Sequence, residues 1–243
     1  MKKIIYFFSA LALMAGFKAC EKPNNDGPNF DNIVLDGFYV YGEATGTNEI
    51  LATNGMAAGN NEAAEGKPVR VGMYEKYIWL EANKEFELIL KEGEKTTIYG
   101  ANLEQQELTT DGSPLLGYKG SLVIGQKMQV TESGLYHIVL DLNKDGALDL
   151  TGKEQIIVAP VTWGISGDCN GWGMTETTPD IKSATEIVWT WENQELGING
   201  HFFKFRDTNS GWKAFLDDGY VISTLTSLGE NGRNGGADIY VGE

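Results

Sequence analysis

The chain has 243 residues, of which 42% are hydrophobic, and its formal net charge at pH 7 is −15. Such an acidic chain lacks the basic footprint that binding of nucleic acids or anionic lipids requires, which argues against both partners and favours a neutral ligand over a polyanion. Its two histidines are too few for a histidine metal triad.

Residues 1–19 are predicted to be a bacterial signal peptide. A basic start is followed by an apolar run from Ile4 to Phe17 that is too short to span a bilayer as a helix of the mature protein. Cys20 follows a small residue, and the segment 17–20 resembles a lipobox, in which the cysteine is lipidated and becomes the N-terminus. Because Lys18 departs from the usual pattern, an ordinary secretory signal with an incidental cysteine is the alternative.

Residues 20–32 are predicted to be a flexible tether, since they are polar and rich in proline, asparagine and glycine. No later stretch is long and apolar enough for a transmembrane helix. With Cys20 lipidated, Cys169 has no partner, and no disulfide is expected.

Short runs of alternating apolar and polar residues predict strands along the rest of the chain. The runs 120–130 and 135–142 are predicted to pair as a hairpin, and Pro160 is expected to mark a kink or an edge. The 31 glycines and the scarcity of helix signals favour an all-β fold. The predicted strands are Val34–Tyr41, Tyr74–Glu81, Glu85–Lys91, Lys95–Tyr99, Gly120–Val130, Leu135–Leu142 and Gln155–Ile165.

The second half of the chain repeats the first. Phe38–Glu43 lies over Trp163–Asp168 at an offset of 125, and Phe86–Leu88 resembles Phe203–Phe205. The similarity is faint but collinear, so it predicts two β-sandwich modules in tandem.

The two modules are placed at residues 33–159 and 160–243. The second is expected to lack its last strand, because the chain ends at Glu243 where the counterpart of Leu135–Leu142 should begin. Either the sequence is truncated there or the edge is completed in another way, because an open edge on a short sandwich is an aggregation liability.

The candidate binding residues lie in the second module. Trp172 and Trp212 each follow a glycine just after a strand-like run, where the indole can stack on a flat sugar ring. Lys204 alternates with Phe203 and Phe205 and therefore points to the opposite face of its strand. The alternatives are that both tryptophans cover the core and that the lysine lies on a solvated face.

Three other tryptophans are expected to be structural. Trp163, Trp189 and Trp191 lie in predicted strands, and the last two share one face by the period of two. Their expected role is burial.

One segment is a weak candidate for a metal site. Asp141, Asn143 and Asp145 place oxygen ligands at alternate positions with a glycine at the sixth, as in the first part of an EF-hand loop, but the twelfth position is Gly152. An Asp-Gly hairpin turn is favoured instead, so no metal and no cofactor are expected.

Catalysis has little support. The sequence contains neither G-x-S-x-G nor H-E-x-x-H, and both histidines lie inside apolar runs. A glycosidase would need two carboxylates facing each other across a cleft, and the acidic excess is explained by a solvated surface. The protein is therefore not expected to be an enzyme.

The order of these features resembles the SusE/SusF-type outer-membrane lipoproteins of Bacteroidetes polysaccharide-utilisation systems. The resemblance rests on the lipidated cysteine, the tether, a first β-domain, and the motifs within Trp163–Trp172, Phe203–Arg206 and Gly236–Ile239. The second module also resembles glycogen- and starch-binding sandwiches of the immunoglobulin-like, early-set type.

The resemblance implies two tandem immunoglobulin-like or early-set β-sandwiches that bind starch or another α-glucan without cleaving it. It implies that Trp172 and Trp212 stack on glucose rings, while Lys204 and Asn234 hydrogen-bond to the sugar hydroxyls. It further implies an outer-membrane location facing the exterior, a lipid anchor at Cys20 and a transporter complex as partner.

Two expectations complete this interpretation. The first module has no tryptophan at the corresponding turns and is expected to be a spacer. The alternative function is that of a structural or adhesive surface lipoprotein, whose tryptophans are core and whose partner is another protein.

Overall fold

The computed structural model describes residues 33–58, 71–108, 116–142, 146–182, 186–192, 196, 201–207, 213–215, 221–223, 227–228 and 238–241. These residues form antiparallel sheets joined by turns and three short 3-10 helices, so the all-β prediction is confirmed. No described helix has the length and apolar character needed to cross a membrane.

The first ten strands form two sheets. One sheet has the order β1-β4-β5-β8, and the other has the order β2-β3-β9-β10-β7-β6. The strands are β1 Gly37–Tyr41, β2 Ala57–Ala58, β3 Met73–Leu80, β4 Glu87–Glu92, β5 Lys95–Gly100, β6 Glu104–Glu107, β7 Leu116–Ser121, β8 Val123–Ile124, β9 Gly134–Asp141 and β10 Gln155–Val161.

The two sheets enclose one apolar core, as in a β-sandwich. Val40 and Leu88 from the four-stranded sheet are fully buried against Ile138 and Ile156 from the six-stranded sheet. Alternate residues of each strand point into this core because side chains alternate across a strand.

The outer face of the six-stranded sheet is also buried at its centre. Strands β9 and β10 pair along their whole length, with Leu135 opposite Val161 and His137 opposite Ala159. Both pairs point away from the sandwich core, and all four residues are buried. His137 lies 2.8 Å through Nε2 from Oε2 of Glu75 on this face. These two strands therefore need apolar cover on both sides.

Part of that cover comes from the second half of the chain. Its strands are β11 Trp163–Gly167, β12 Thr175–Glu176, β13 Ile181–Lys182, β14 Ile187–Val188, β15 Phe202–Asp207, β16 Lys213–Phe215, β17 Val221–Ser223, β18 Ser227–Leu228 and β19 Ile239–Tyr240. The main sheet has the order β12-β11-β15-β18, and β19 also pairs with β15.

A second apolar cluster joins the two halves. It contains Leu135 and Val161 of the first sandwich together with Trp163 and Phe205 of the second sheet. Only Thr162 separates β10 from β11. The boundary predicted between residues 159 and 160 thus falls inside β10, a strand of the first sandwich.

The internal repeat is visible in the strand pairing. Val40 lies opposite Leu88 in the β1–β4 pair, and Ile165 lies opposite Phe205 in the β11–β15 pair. Each first strand runs into a 3-10 helix, Glu43–Thr45 or Asp168–Asn170, that ends at a glycine in the left-handed conformation. The first strand and its turn therefore recur at the offset of 125, and the strand that pairs with it recurs at an offset of 117 (Leu88 to Phe205), with the same register.

The predicted hairpin between residues 120–130 and 135–142 is wrong. Strand β7 pairs with β6 and β10, and β8 pairs with β5, whereas β9 pairs with β3 and β10. Because β9 is buried on both faces, it occupies the centre of the larger sheet and cannot be the edge partner of the segment before it.

Candidate functional site

The outer face of the β11–β15–β19 sheet carries the residues of interest. Phe203 and Phe205 of β15 point into the second apolar cluster and are buried. Because side chains alternate, Phe202, Lys204 and Arg206 point to the opposite face. Sequence reasoning placed Lys204 on that face, and the structure agrees.

Trp172 lies at the end of the turn that follows β11. Its φ is 64°, a left-handed conformation that is an outlier for a bulky residue. Its backbone N–H donates to the carbonyl of Gly167 at 2.7 Å, and its own carbonyl accepts a hydrogen bond from Ser166 Oγ at 3.1 Å. Strained backbone that is held in place by its surroundings is often found at functional positions.

The indole of Trp172 is oriented by one carboxylate. Its Nε1–H donates to Asp168 Oδ1 at 3.0 Å, while Asp168 Oδ2 accepts the backbone N–H of Phe202 at 2.8 Å. The hydrogen bond from Phe202 N–H, followed by that from Trp172, lowers the pKa of Asp168 below its usual value. The side chain of Trp172 is 41% exposed, so its ring offers an accessible surface whose orientation is fixed.

Lys204 is held by an ion pair. Its Nζ lies 2.9 Å from Asp238 Oδ1, just before β19, and it stands opposite Ser166 in the β11–β15 register. The lysine can still donate to a ligand, because an ammonium has three N–H groups. Its position is set by Asp238, a residue that sequence reasoning did not single out.

Sequence reasoning also missed an aromatic pair. Phe202 and Tyr240 are register partners in the β15–β19 pair, with ring centroids 5.3 Å apart. They are 39% and 54% exposed. The signal was present in the sequence, because Phe203 and Ile239 are apolar inward positions and the period of two places their neighbours on the outer face.

Three other tryptophans belong to the core. Trp163, Trp189 and Trp191 are buried in the second apolar cluster, which confirms their predicted structural role. The indole N–H of Trp191 donates to the carbonyl of Thr175 at 2.9 Å.

Several predicted site residues lie outside the described part of the chain, namely Cys20, Asn143, Asp145, Trp212 and Asn234. Asp141 is buried at the end of β9, and Gly146 has the positive φ typical of a turn glycine. Within the described residues, no group of three or more His, Cys, Asp or Glu side chains is arranged to hold a metal. Cys169 is a half-buried free thiol.

Comparison with known proteins adds no relative, because no family model, curated protein or solved structure matches the chain. The functional assignment therefore rests on the residues of the site.

The carboxylate between Trp172 and Phe202 leads to a first prediction. The two N–H donors bind different oxygens of Asp168, and in Asp168→Asn one of these oxygens is replaced by an NH₂ group that cannot accept, so one of the two hydrogen bonds is lost. We expect the Trp172 indole N–H resonance, assigned with Trp172→Phe, to shift at neutral pH.

The wild-type resonance should also depend on acid. Because the folded pKa of Asp168 is lowered from 3.8, its contacts are complete above that value and are lost only as the pH falls through the lower, folded pKa. A resonance that is unchanged by both Asp168→Asn and acid would contradict this role for the carboxylate.

Proposed function

We propose that this protein binds a neutral polysaccharide at the cell surface without cleaving it, and that the ligand is starch or another α-glucan. The observation that carries the proposal is the aromatic outer face of the β11–β15–β19 sheet. Phe202 and Tyr240 are exposed there, and Lys204 lies on the same face. Trp172 is exposed at the turn that follows β11, and the carboxylate that accepts its indole N–H also accepts the backbone N–H of Phe202. Aromatic rings stack on the apolar faces of sugars, while charged side chains bond to the hydroxyls at their edges.

The arrangement of these aromatic side chains favours stacking of sugar rings on an open surface over their enclosure in a pocket. The indole N–H of Trp172 is already bound to Asp168, so its ring would act through its face. Stacking of this kind contributes about 1–3 kcal/mol per ring by analogy with stacked bases. Two or three such contacts, less the cost of ordering the ligand, correspond to micromolar-to-millimolar affinity.

The proposal extends to the anchor and the partner. The basic and apolar leader with Cys20 supports a lipid-anchored protein of the outer membrane. The order of motifs supports a role beside a transporter complex of the same utilisation system, in which weak sites act together on one long chain. We likewise infer that the repeated strand–turn–strand unit belongs to two tandem sandwich modules, of which the second carries this site.

Replacing Trp172 with alanine is expected to weaken polysaccharide binding about tenfold or more, because one stacking ring is removed. Affinity electrophoresis in native gels containing starch, glycogen, pullulan or a β-glucan measures this directly. The substitution leaves the net charge unchanged, so any change of mobility reports binding.

The matched control is Ile124→Ala, which removes an exposed apolar side chain from β8 of the first sandwich. It should be retarded like the wild type. Absence of retardation of the wild type on every glucan would reject the α-glucan assignment. Equal retardation of Trp172→Ala and wild type would remove Trp172 from the site.

A further inference from the structure

The first sandwich contains a cavity of about 270 Å³ beside the turn that follows β1. Its wall carries three carboxylates and one ammonium together with a phenol and an amide. These side chains belong to Glu43, Glu85, Glu87, Lys127, Tyr41 and Asn48. A volume of this size suits a single small molecule rather than a polymer segment.

The internal repeat places this cavity at the position of the Lys204 ion pair. Tyr41 lies opposite Glu87 as Ser166 lies opposite Lys204. Met128 bridges to Phe86 as Ile239 pairs with Phe203, so Lys127 corresponds to Asp238.

The two positions carry opposite charges. In the second half a lysine on the strand pairs with an aspartate beside it. In the first half the strand carries Glu87 and the neighbouring segment carries Lys127. Here the two do not form an ion pair, because Lys127 binds Glu85 instead.

Glu87 is consequently left without a donor. It is only 8% exposed, and no hydrogen bond or ion pair reaches its carboxylate from the described residues. Burial raises the pKa of Glu87, the positive charge of Lys127 partly offsets this, and the negative charge of Glu85 adds to it. The carboxylate oxygens of Glu87 open into the cavity and are reached by solvent there, and the ammonium of a ligand would replace that solvent with a hydrogen bond between charged groups.

The excess of carboxylates in the cavity favours a ligand whose hydrogen-bond donor is a cation. Three glutamates face one lysine, and Glu43 shares the single ammonium of Lys84 with Glu81, at 3.5 Å and 2.6 Å. The described residues offer no arrangement of three metal-ligating side chains, which favours an organic cation over a metal ion. The phenol of Tyr41 and the amide of Asn48 are suited to hydroxyl groups beside that cation.

We propose that this cavity binds the primary ammonium group of a small ligand, with Glu87 as its acceptor. An amino sugar with a free amine fits the cavity best, because its hydroxyls match the neutral polar groups of the wall. This inference does not depend on polysaccharide binding at Trp172, since it concerns a different module and different chemistry.

The test is an NMR titration of the purified protein with glucosamine, N-acetylglucosamine and butylamine. We expect glucosamine to shift the resonances of β1 and β4, and N-acetylglucosamine, which has lost the charge, to shift them far less. Butylamine has the ammonium group without the hydroxyl groups, so it shows whether the amine alone is recognised. If it binds as well as glucosamine, the cavity recognises any primary amine, and if it binds more weakly, the hydroxyls contribute.

Two substitutions give opposite expected signs. Glu87→Gln, which keeps shape and removes charge, should weaken glucosamine binding about tenfold or more, because a hydrogen bond to a charged group is lost. Lys127→Met removes the competing cation and should tighten binding. A loss of folding cannot produce a gain of affinity, so the pair distinguishes recognition from structural damage.

Equal binding of glucosamine and N-acetylglucosamine, or weaker binding in Lys127→Met, would overturn the proposal. No shift with either amine would do the same. Trp172→Ala should leave glucosamine binding unchanged, and Glu87→Gln should leave retardation by polysaccharide unchanged. The failure of one site is therefore separable from the failure of the other.

Discussion

Replacing Lys76 with methionine is expected to raise the free energy of unfolding at pH 7 by about 2–3 kcal/mol. Lys76 lies in β3 between Tyr74 and Ile78, which both contribute to the sandwich core, and it stands opposite the buried Ile138. It therefore points inward, and burial alone lowers its pKa from 10.5 to about 8. Below that value the folded protein carries a charge that its surroundings disfavour.

The pH dependence has a defined sign. Between about 8 and 10.5 the unfolded chain binds a proton at Lys76 that the folded chain has lost. The stability of the wild type therefore rises with pH across this window relative to the variant. The advantage of Lys76→Met should be greatest below pH 8 and should shrink as the pH approaches 10.5. Urea unfolding of both proteins over this range measures the difference between their free energies of unfolding. The tyrosines also titrate in this range, but they contribute equally to both proteins, so their effect drops out of the difference.

The control for this effect is Lys95→Met, because Lys95 lies exposed at the start of β5. Its stability should stay within about 0.5 kcal/mol of the wild type at every pH, as for other surface substitutions. A similar gain in both variants would show that net charge, rather than burial of one amine, is responsible.

Replacing Gly167 with alanine is expected to destabilise the protein by about 3 kcal/mol and to displace Trp172. A Cβ at this position would lie 2.5 Å from the carbonyl oxygen of Phe202 and 2.7 Å from the Cα of Phe203. Both atoms are backbone of the strand that pairs with β11, so they cannot move without breaking that pairing. Urea unfolding measures the loss, and the Trp172 indole resonance reports the displacement.

Two other glycines provide the comparison. Gly42→Ala, at the equivalent position of the first sandwich, would bring a Cβ to 2.7 Å from the carbonyl oxygen of Glu85 and should cost at least as much. Gly171→Ala meets no atom within 4 Å and carries only the cost of a left-handed φ of 63°, about 1–2 kcal/mol. If Gly167→Ala were no worse than Gly171→Ala, close approach of the strands would not be the cause.

The strand content was predictable because its signal is local. The alternation of apolar residues predicted β3, β4, β5 and β9 to within about two residues at most ends, which is the usual uncertainty of such boundaries. The repeat was readable for the same reason, since Phe38–Glu43 and Trp163–Asp168 follow one pattern of strand and turn. The alternation of apolar residues does not indicate which strand pairs with which.

The pairing errors follow from that limit. Proximity in sequence predicts that the segment 120–130 pairs with residues 135–142, whereas β9 is buried on both faces and pairs with β3 and β10. The same reason hid the partner of Lys204, because Asp238 lies far along the chain. Trp172, in contrast, was singled out by its glycine turn alone.

The charge inversion between the two halves of the chain can be predicted from the sequence. The alignment that placed Phe86 over Phe203 also places Glu87 over Lys204, so a carboxylate replaces an ammonium. The absence of tryptophan from the corresponding turns predicts a spacer in the first half, but it carries no information about the charges that line the cavity there.

The burial of β9 and β10 on both faces has a consequence for how this architecture can change. The six-stranded sheet contributes side chains to two apolar clusters, one on each face. The second half of the chain therefore cannot be replaced by an unrelated domain without exposing one of these faces. A domain that replaced the second half would have to present apolar side chains that fit Trp79, Leu135 and Val161. Otherwise these residues would form an exposed apolar patch that is prone to aggregation. We therefore expect substitutions to be tolerated best at the turns and outer faces of the two repeated units, and least at the positions that pack in the second apolar cluster.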